Sequence, residues 1–186
     1  MNWLSFSKIV LPIIIVTSLV AAVAIFYKNN NYSIHQTQRF PRVSGENLKG
    51  KRFEFPNDFT SGRTLVLFAY EQEQADILSS WVNGVDLLNR QIEWYETPVI
   101  ATPLQLGSFF IDGGMRKGIP DERIQERVVT LYTDRNKFSE SLGILFDIHG
   151  AYAMVVERDG KVIGYVQGAY STDGAKKIKS WIEAAE

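Results

Sequence analysis

The run TLVLFAY at residues 64–70 is the stretch around which the rest of this chain can be organised. It is short and apolar throughout, and Ser61-Gly62 precedes it, so it predicts a strand that is buried on both faces of a sheet. The segment 74–89 follows and carries apolar residues at helical spacing, among them Leu78 and Trp81. A strand followed directly by an amphipathic helix predicts a crossover to a parallel strand.

Apolar runs of strand length, amphipathic stretches and turn residues alternate through the rest of residues 43–186. Asp159-Gly160, between two β-rich runs, is a strong local signal for a hairpin. Two crossovers through helices imply parallel pairing and this hairpin adds antiparallel strands, so the order predicts an α/β domain with a mixed central sheet flanked by helices. The predicted elements are a hairpin at 48–55 with its turn at 49–51, a strand at 64–70, a helix at 74–89, a strand ending at 98–101, a loop at 102–121 with room for a short helix, a strand at 127–133, a helix at 137–142, a hairpin at 152–157 and 162–167, and a helix at 175–185.

The N-terminal part of the chain has the pattern of a membrane anchor. Residues 9–27 carry no charge, lie between Lys8 and Lys28, and have the length of roughly 20 residues that crosses a bilayer. We therefore expect a short tail at 1–8, a transmembrane helix at 9–27, and a polar tether at 28–42 leading to the domain.

Two questions about this anchor stay open in the sequence. Ala22-Val23-Ala24 resembles a signal-peptidase site, but the apolar run continues past it, which favours an uncleaved anchor over a cleaved signal peptide. Positive charges on the two sides of the span nearly balance, and the positive-inside rule leans slightly towards a cytoplasmic C-terminal domain. The short tail with its lysine favours a signal-anchor that exports the domain, which gives a single-pass protein with an extracytoplasmic domain.

Composition excludes several kinds of chemistry. The chain has no cysteine, so it has neither disulfides nor thiolate metal sites. Its two histidines, His35 and His149, are too few for a histidine-based metal centre without clustered carboxylates, and no cofactor or metal site is predicted. The formal net charge of −1 gives no indication of nucleic-acid binding.

The order of elements resembles the thioredoxin-like fold, and several segments resemble its peroxiredoxin and thiol-specific-antioxidant branch. The resemblance covers about residues 43–186. It implies redox cysteines near Gln72 and Ala75 and a cis-proline at about Tyr152, and this chain has none of them. Because the thiolate is the nucleophile of that chemistry, peroxidase and disulfide-exchange activity are not carried over. The segments that carry the resemblance are 47–53, 58–62, 65–70, 142–144, 150–156 and 158–162.

A narrower resemblance concerns the glycine-rich segment at 110–121. This segment is similar to one in the mitochondrial ATP synthase assembly factor of the ATPase-subunit-10 type. That family is also thioredoxin-like without the cysteines, and the resemblance implies an assembly chaperone for a membrane-embedded subunit.

The stretch 112–121 is also the first candidate for a binding site. Its glycines let the backbone approach a ligand, and its basic residues suit an anion or an acidic partner surface. The alternative is a surface loop with solvated charges. The residues proposed to contact a partner here are Asp112, Gly113, Gly114, Arg116 and Lys117.

The end of the strand at 64–70 is the second candidate, because thioredoxin-like folds place their chemistry there. Tyr70 and Tyr152 either close the groove in which a disulfide would dock or belong to the core. Glu71 and Glu73 could act as acid and base or simply complement a helix N-terminus. His149 either faces this site or lies in an exposed turn.

These observations favour a non-catalytic protein. We expect a membrane-anchored, redox-inactive thioredoxin-like domain that binds a polypeptide partner during assembly or maintenance of a membrane or envelope complex. The alternative is a non-thiol enzyme that uses carboxylates in the same groove.

Overall fold

The structure, a computed structural model, describes residues 38–101 and 108–184. The expected anchor at 9–27 and most of the tether lie outside these residues. Within them, none of the helices combines the length and the apolar character that crossing a membrane requires.

Seven strands and five helices are found in the described residues. Two short 3-10 turns, Gln72–Gln74 and Leu87–Asn89, flank the first helix. The strands are β1 (Val43–Asn47), β2 (Arg52–Phe55), β3 (Arg63–Ala69), β4 (Trp94–Ala101), β5 (Val129–Thr133), β6 (Ala151–Glu157) and β7 (Val162–Gln167), and the helices are α1 (Ala75–Gly84), α2 (Ser108–Gly118), α3 (Glu122–Gln125), α4 (Arg135–Leu142) and α5 (Thr172–Glu183).

The strands form one mixed sheet in the order β2-β1-β5-β4-β3-β6-β7. β3 pairs in parallel with β4, from Leu65 opposite Trp94 to Ala69 opposite Pro98. β4 pairs in parallel with β5, whereas β6 runs antiparallel to β3 and β7. The mixed sheet expected from the two crossovers and the Asp-Gly hairpin is confirmed.

The two faces of the sheet have different coverings. Phe68, Tyr95 and Val99 belong to the main core cluster, which also contains Phe138 of α4. Side chains alternate along a strand, so Glu96 and its neighbours at even positions of β4 face the opposite side. That side is covered by α1, α2 and α5.

The N-terminal hairpin begins earlier than expected. The prediction placed both strands within 48–55, but the first strand is Val43–Asn47 and residues 48–51 form the turn. Asn47 holds this turn, because its side-chain oxygen accepts from the backbone N–H groups of Lys49 (3.0 Å) and Lys51 (2.8 Å). Sequence alternation located the hairpin but not its register.

The residues just before the hairpin also belong to the domain, although the prediction assigned them to the tether at 28–42. Phe40 is only 3% exposed, and its ring lies edge-on to Phe55 and Phe138. Its backbone N–H donates to the carbonyl of Gly160 at 2.7 Å. Residues 38–42 are therefore packed against the sheet rather than extended as a spacer.

The first helix is shorter than the predicted 74–89. It ends at Gly84, and Asp86 then adopts a left-handed conformation with φ of 56° that an α-helix cannot contain. The helix α4 is capped at both ends: the Asp134 side chain accepts from the N–H of Lys137, and Gly143 ends the helix at φ 71°.

Candidate functional site

A groove lies between α1 and α2 on the face of the sheet where β3 and β4 end. Its volume is about 670 Å³. The floor comes from β3 and β4, one wall from α1, the other from α2, and the far end from the start of α4. Its lining is mostly apolar and includes Ala69, Leu78, Pro98, Val99, Ile100, Ile111, Met115 and Ile119, with Tyr70, Glu71, Glu73, Glu96 and Arg135 as polar members.

Glu96 on the floor of this groove is a buried carboxylate without a partner. Only 8% of the residue is exposed. Among the described residues, its carboxylate makes no hydrogen bond and no ion pair. Burial in these surroundings favours the neutral form and raises its pKa from the ordinary value of 4.5 to about 7.

Glu93, just before the same strand, shows what a fully paired carboxylate looks like in this domain. It is also 8% exposed. It accepts from the hydroxyl of Thr64 (2.6 Å), from the hydroxyl (2.7 Å) and N–H (3.0 Å) of Thr60, and from the N–H of Ser61 (2.9 Å). Burial alone would raise its pKa, but these hydrogen bonds outweigh burial and lower it. The hydrogen bonds of Glu93 thus hold the segment at 60–64 in place, whereas the Glu96 carboxylate makes no hydrogen bond to any described residue.

Arg135 and Tyr70 close the far end of the groove. The Arg135 guanidinium donates to the carbonyls of Val99 (3.0 Å) and Tyr70 (2.5 Å), so it ties together the chain at the ends of β4 and β3. The hydroxyl of Tyr70 is hydrogen-bonded to that of Ser139. Burial raises the pKa of Tyr70 to about 12, so this phenol is neutral at physiological pH.

A glutamine network occupies the place where the resemblance would put the redox motif. The buried Gln74 side chain accepts from the N–H of Tyr70 at 2.9 Å and donates to the carbonyl of Ile148 at 2.7 Å. Glu71 pairs with His149, with 3.0 Å between a carboxylate oxygen and Nδ1. His149 is therefore both exposed and next to the site, so the two alternatives drawn from the sequence hold together.

The glycine-rich stretch is a helix, not a loop. Residues 112–118 belong to α2, an 11-residue helix. Asp112 accepts from the hydroxyls of Thr130 (2.9 Å) and Tyr132 (3.4 Å) on β5. Contacts to β5 fix a helix whose glycines weaken its own propensity, so tertiary packing overrides local preference.

The candidate residues on α2 separate into two groups. Asp112 points away from the groove, towards β5, and the Nε of Arg116 donates to the carbonyl of Leu48 in the hairpin turn at 2.6 Å. Gly114 lines the groove. Gly113 and Lys117, which is exposed, do not line it.

Tyr152 belongs to the core. It is 3% exposed and stacks on Phe68 with 4.9 Å between ring centroids. Of the tyrosine pair proposed to close the groove, only Tyr70 lines it. The core alternative therefore holds for Tyr152.

Two exposed apolar side chains are adjacent in the segment after α4, and one of them contacts a residue that lines the groove. Leu145 is 92% exposed and Phe146 is 38% exposed. The Phe146 ring contacts Tyr70 edge-on, with 5.2 Å between centroids. Sequence reasoning missed this pair and Glu96. The available signal for Glu96 was a single acidic residue inside an apolar strand, at a position whose neighbours by alternation are Trp94 and Pro98.

Groups of histidine and acidic side chains that could hold a metal ion are absent from the described part of the chain. Among the described residues that line the groove there is no serine, threonine, cysteine or histidine. The groove combines an apolar surface with the buried carboxyl group of Glu96 and with two further carboxylates, Glu71 and Glu73, at its opening.

Comparison with solved structures shows that the fold is thioredoxin-like. A protein of Aquifex aeolicus provisionally assigned to electron transport matches with 13% identity and a TM-score of 0.59, covering 82% of this chain and 99% of that one. The thioredoxin domain of a thiol-disulfide oxidoreductase from Bacteroides vulgatus matches with 17% identity, a TM-score of 0.53, and coverage of 81% and 100%. BsSco, a member of the Sco family of cytochrome c oxidase assembly proteins, matches with 16% identity, a TM-score of 0.51, and coverage of 80% and 94%.

No family and no curated protein matches the sequence. The thioredoxin-like part of the expected resemblance is confirmed. The narrower likenesses, to peroxiredoxins and to the ATP synthase assembly factor, depend on the sequence segments alone. Since the chain has no cysteine, it cannot carry out the thiol chemistry named for such neighbours.

Proposed function

We propose that this chain is a membrane-anchored, redox-inactive thioredoxin-like protein that binds a polypeptide partner. Its role is in the assembly or maintenance of a membrane or envelope complex, and its domain lies on the extracytoplasmic side. The observation that carries the proposal is the open, mainly apolar groove at the ends of β3 and β4, in a chain that has no sulfur nucleophile to place there.

The surface beside the groove supports recognition of a polypeptide. Phe146 exposes apolar area next to Tyr70, which lines the groove, and the adjacent residue Leu145 is 92% exposed. Exposed apolar side chains next to a concave apolar surface are typical of protein-binding sites. The groove volume of about 670 Å³ is enough for several side chains of a bound segment.

The proposed role in assembly is based on similarity to two kinds of assembly protein. The similarity to BsSco concerns the fold, and the segment at 110–121 is similar to that of an assembly factor. Both comparisons involve thioredoxin-like proteins named for assembly of a membrane complex, and this chain also carries an apolar segment of membrane-spanning length at 9–27.

Site-directed photo-crosslinking in intact cells tests the proposal. A photo-reactive residue replaces Leu145, and the same residue replaces Glu54 on the edge strand β2 as a control that does not line the groove. We expect Leu145 to give one discrete crosslinked polypeptide, which mass spectrometry assigns to a membrane or envelope complex, and Glu54 to give none.

A matched pair of glycine variants shows whether the groove is responsible. Gly114 lines the groove and Gly113 does not, yet a Cβ atom at either position meets open space. Gly114→Phe should abolish the crosslink and Gly113→Phe should preserve it. The proposal is wrong if the crosslink is absent, or if both variants leave it unchanged.

One observation favours the alternative, a non-thiol enzyme. Glu96 is a buried carboxyl group whose pKa of about 7 suits general acid–base catalysis near neutral pH. Conversion of a compound from cell extract by purified protein, lost in Glu96→Gln, would establish this function instead.

A further inference from the structure

Glu96 gives the groove a chemical selectivity that its apolar walls alone do not have. An apolar position on the floor would serve simple hydrophobic capture equally well. Instead, β4 places a carboxylate there, 8% exposed and with no partner among the described residues. An unpaired buried charge is costly, and the cost is relieved when a charge of opposite sign approaches.

The other charged groups that line the groove make its net charge more negative. Glu71 and Glu73 lie at its mouth. Arg135, the cation in the lining, already donates to the carbonyls of Val99 and Tyr70. The lining residues of α1 and α2 are uncharged.

The remaining nearby charges are directed elsewhere. The guanidinium of Arg127, whose carbonyl accepts from the N–H of Glu96, lies over the ring of Tyr95 at 5.7 Å, on the other face of the sheet. His149 is turned to Glu71 at the mouth, so its proton would offset one of the two rim carboxylates and leave Glu96 unpaired.

We infer that the groove takes an apolar polypeptide segment that places a lysine or arginine side chain against Glu96. The inference rests on the proposed function and specifies what the partner must carry. The apolar walls bury the segment, and the basic side chain reaches the floor along its own methylene stem. The paired carboxylate then stays charged, so binding lowers its affinity for a proton.

Binding should therefore depend on pH in a defined direction. Below neutral pH the empty groove holds Glu96 protonated, and a cation must displace that proton in order to bind. Affinity for a basic segment should rise from pH 6 to pH 8. An uncharged segment should show no such rise.

Three synthetic peptides test the inference by isothermal titration calorimetry with the full-length protein in mild detergent. Each is acetylated and amidated with the sequence Leu-Ala-X-Ala-Leu, where X is lysine, norleucine or glutamate. At pH 8 we expect the lysine peptide to bind roughly tenfold more tightly than the norleucine peptide, and the glutamate peptide to bind least. Lowering the pH to 6 should reduce the lysine peptide's affinity severalfold.

Two variants assign the effect to one carboxylate. Glu96→Gln keeps the shape of the side chain and should remove most of the preference for lysine over norleucine and most of its pH dependence. Glu73→Gln removes an exposed carboxylate from the mouth and should change affinity by less than about twofold.

The outcomes separate this inference from the proposed function. Equal binding of the lysine and norleucine peptides, no effect of Glu96→Gln, or no binding of any peptide overturns the inference, and the crosslinks from Leu145 still decide the proposed function. Binding of the lysine peptide with the expected dependence, together with no crosslinked partner in cells, supports the chemistry of the groove and overturns the role in partner binding.

Discussion

Replacing Glu96 with glutamine should make the domain more stable above neutral pH, although the variant loses a charged group. The pKa of Glu96 in the folded protein is raised from 4.5 to about 7, so the folded state binds a proton more tightly than the unfolded state does. The contribution of Glu96 to stability is then fully present below pH 4.5, falls as the pH rises to about 7, and is lost above that. Glutamine cannot ionise, so this loss disappears in the variant.

The magnitude follows from the difference between the two pKa values. At about 1.4 kcal/mol for each pKa unit, the complete loss is about 3 kcal/mol. Most of it, about 2.5 kcal/mol, falls between pH 5 and pH 8. The free energy of unfolding of the variant minus that of the wild type should therefore increase by about this amount across the interval.

Urea unfolding at pH 5, 6.5 and 8 measures this difference, with the full-length protein in mild detergent and tryptophan fluorescence as the signal. The comparison is made between variant and wild type at each pH, so the titration of all other groups cancels. A difference that stays constant from pH 5 to pH 8 would refute the reasoning, because Glu96 would then be ionised as easily as in water.

Four further substitutions test the packing around the site. Glu93→Gln should destabilise the domain by about 2–3 kcal/mol at pH 7, since the new amide nitrogen would face donor groups. Because folding lowers the pKa of Glu93, the difference in stability from wild type should shrink as the pH falls below 4.5. Urea titrations at pH 7 and pH 3 measure this difference, and an equal value at both would contradict the prediction. Gly114→Ala should raise stability by about 0.5–1 kcal/mol, as its Cβ meets open space inside a helix. Gly84→Ala should instead lower stability by about 1–3 kcal/mol, because its Cβ would lie 2.5 Å from the Tyr170 ring; thermal melts that rank the two glycine variants the other way would show that α1 and α2 are packed differently. Phe40→Ala should lower the free energy of unfolding by about 3–5 kcal/mol, because Phe40 is buried in the core. An unchanged unfolding midpoint would show that residues 38–42 belong to the tether.

The strands and their pairing were predictable because their signals are local. The composition of TLVLFAY alone predicts a buried strand, and Asp159-Gly160 predicts a hairpin turn. In the structure Gly160 has a φ of 91°. Neither signal depends on what lies elsewhere in the chain. The mixed character of the sheet then followed from the two crossovers and the hairpin, whereas the order of its strands was not predicted.

Features that depend on distant contacts were not predictable in the same way. Three glycines in 113–118 indicated a loop, and the helix found there is held by hydrogen bonds from Asp112 to β5 and from Arg116 to the hairpin turn. The burial of Phe40 depends on rings from β2 and α4, far along the chain. Local propensity carries no information about either contact.

The contrast between Glu93 and Glu96 locates the function within the fold. Both carboxylates are 8% exposed, Glu93 just before β4 and Glu96 within it. One is surrounded by donors and stabilises the native state, whereas the other reduces stability by up to about 3 kcal/mol of a total that is typically 5–15 kcal/mol. An apolar residue or a glutamine would avoid this loss without disturbing the strand. A destabilising group is best explained by what it does at the surface it lines, which for Glu96 is the groove at the ends of β3 and β4. The carboxyl group and apolar walls of this groove, in a chain without cysteine, are the reason that we propose binding of a partner rather than disulfide exchange.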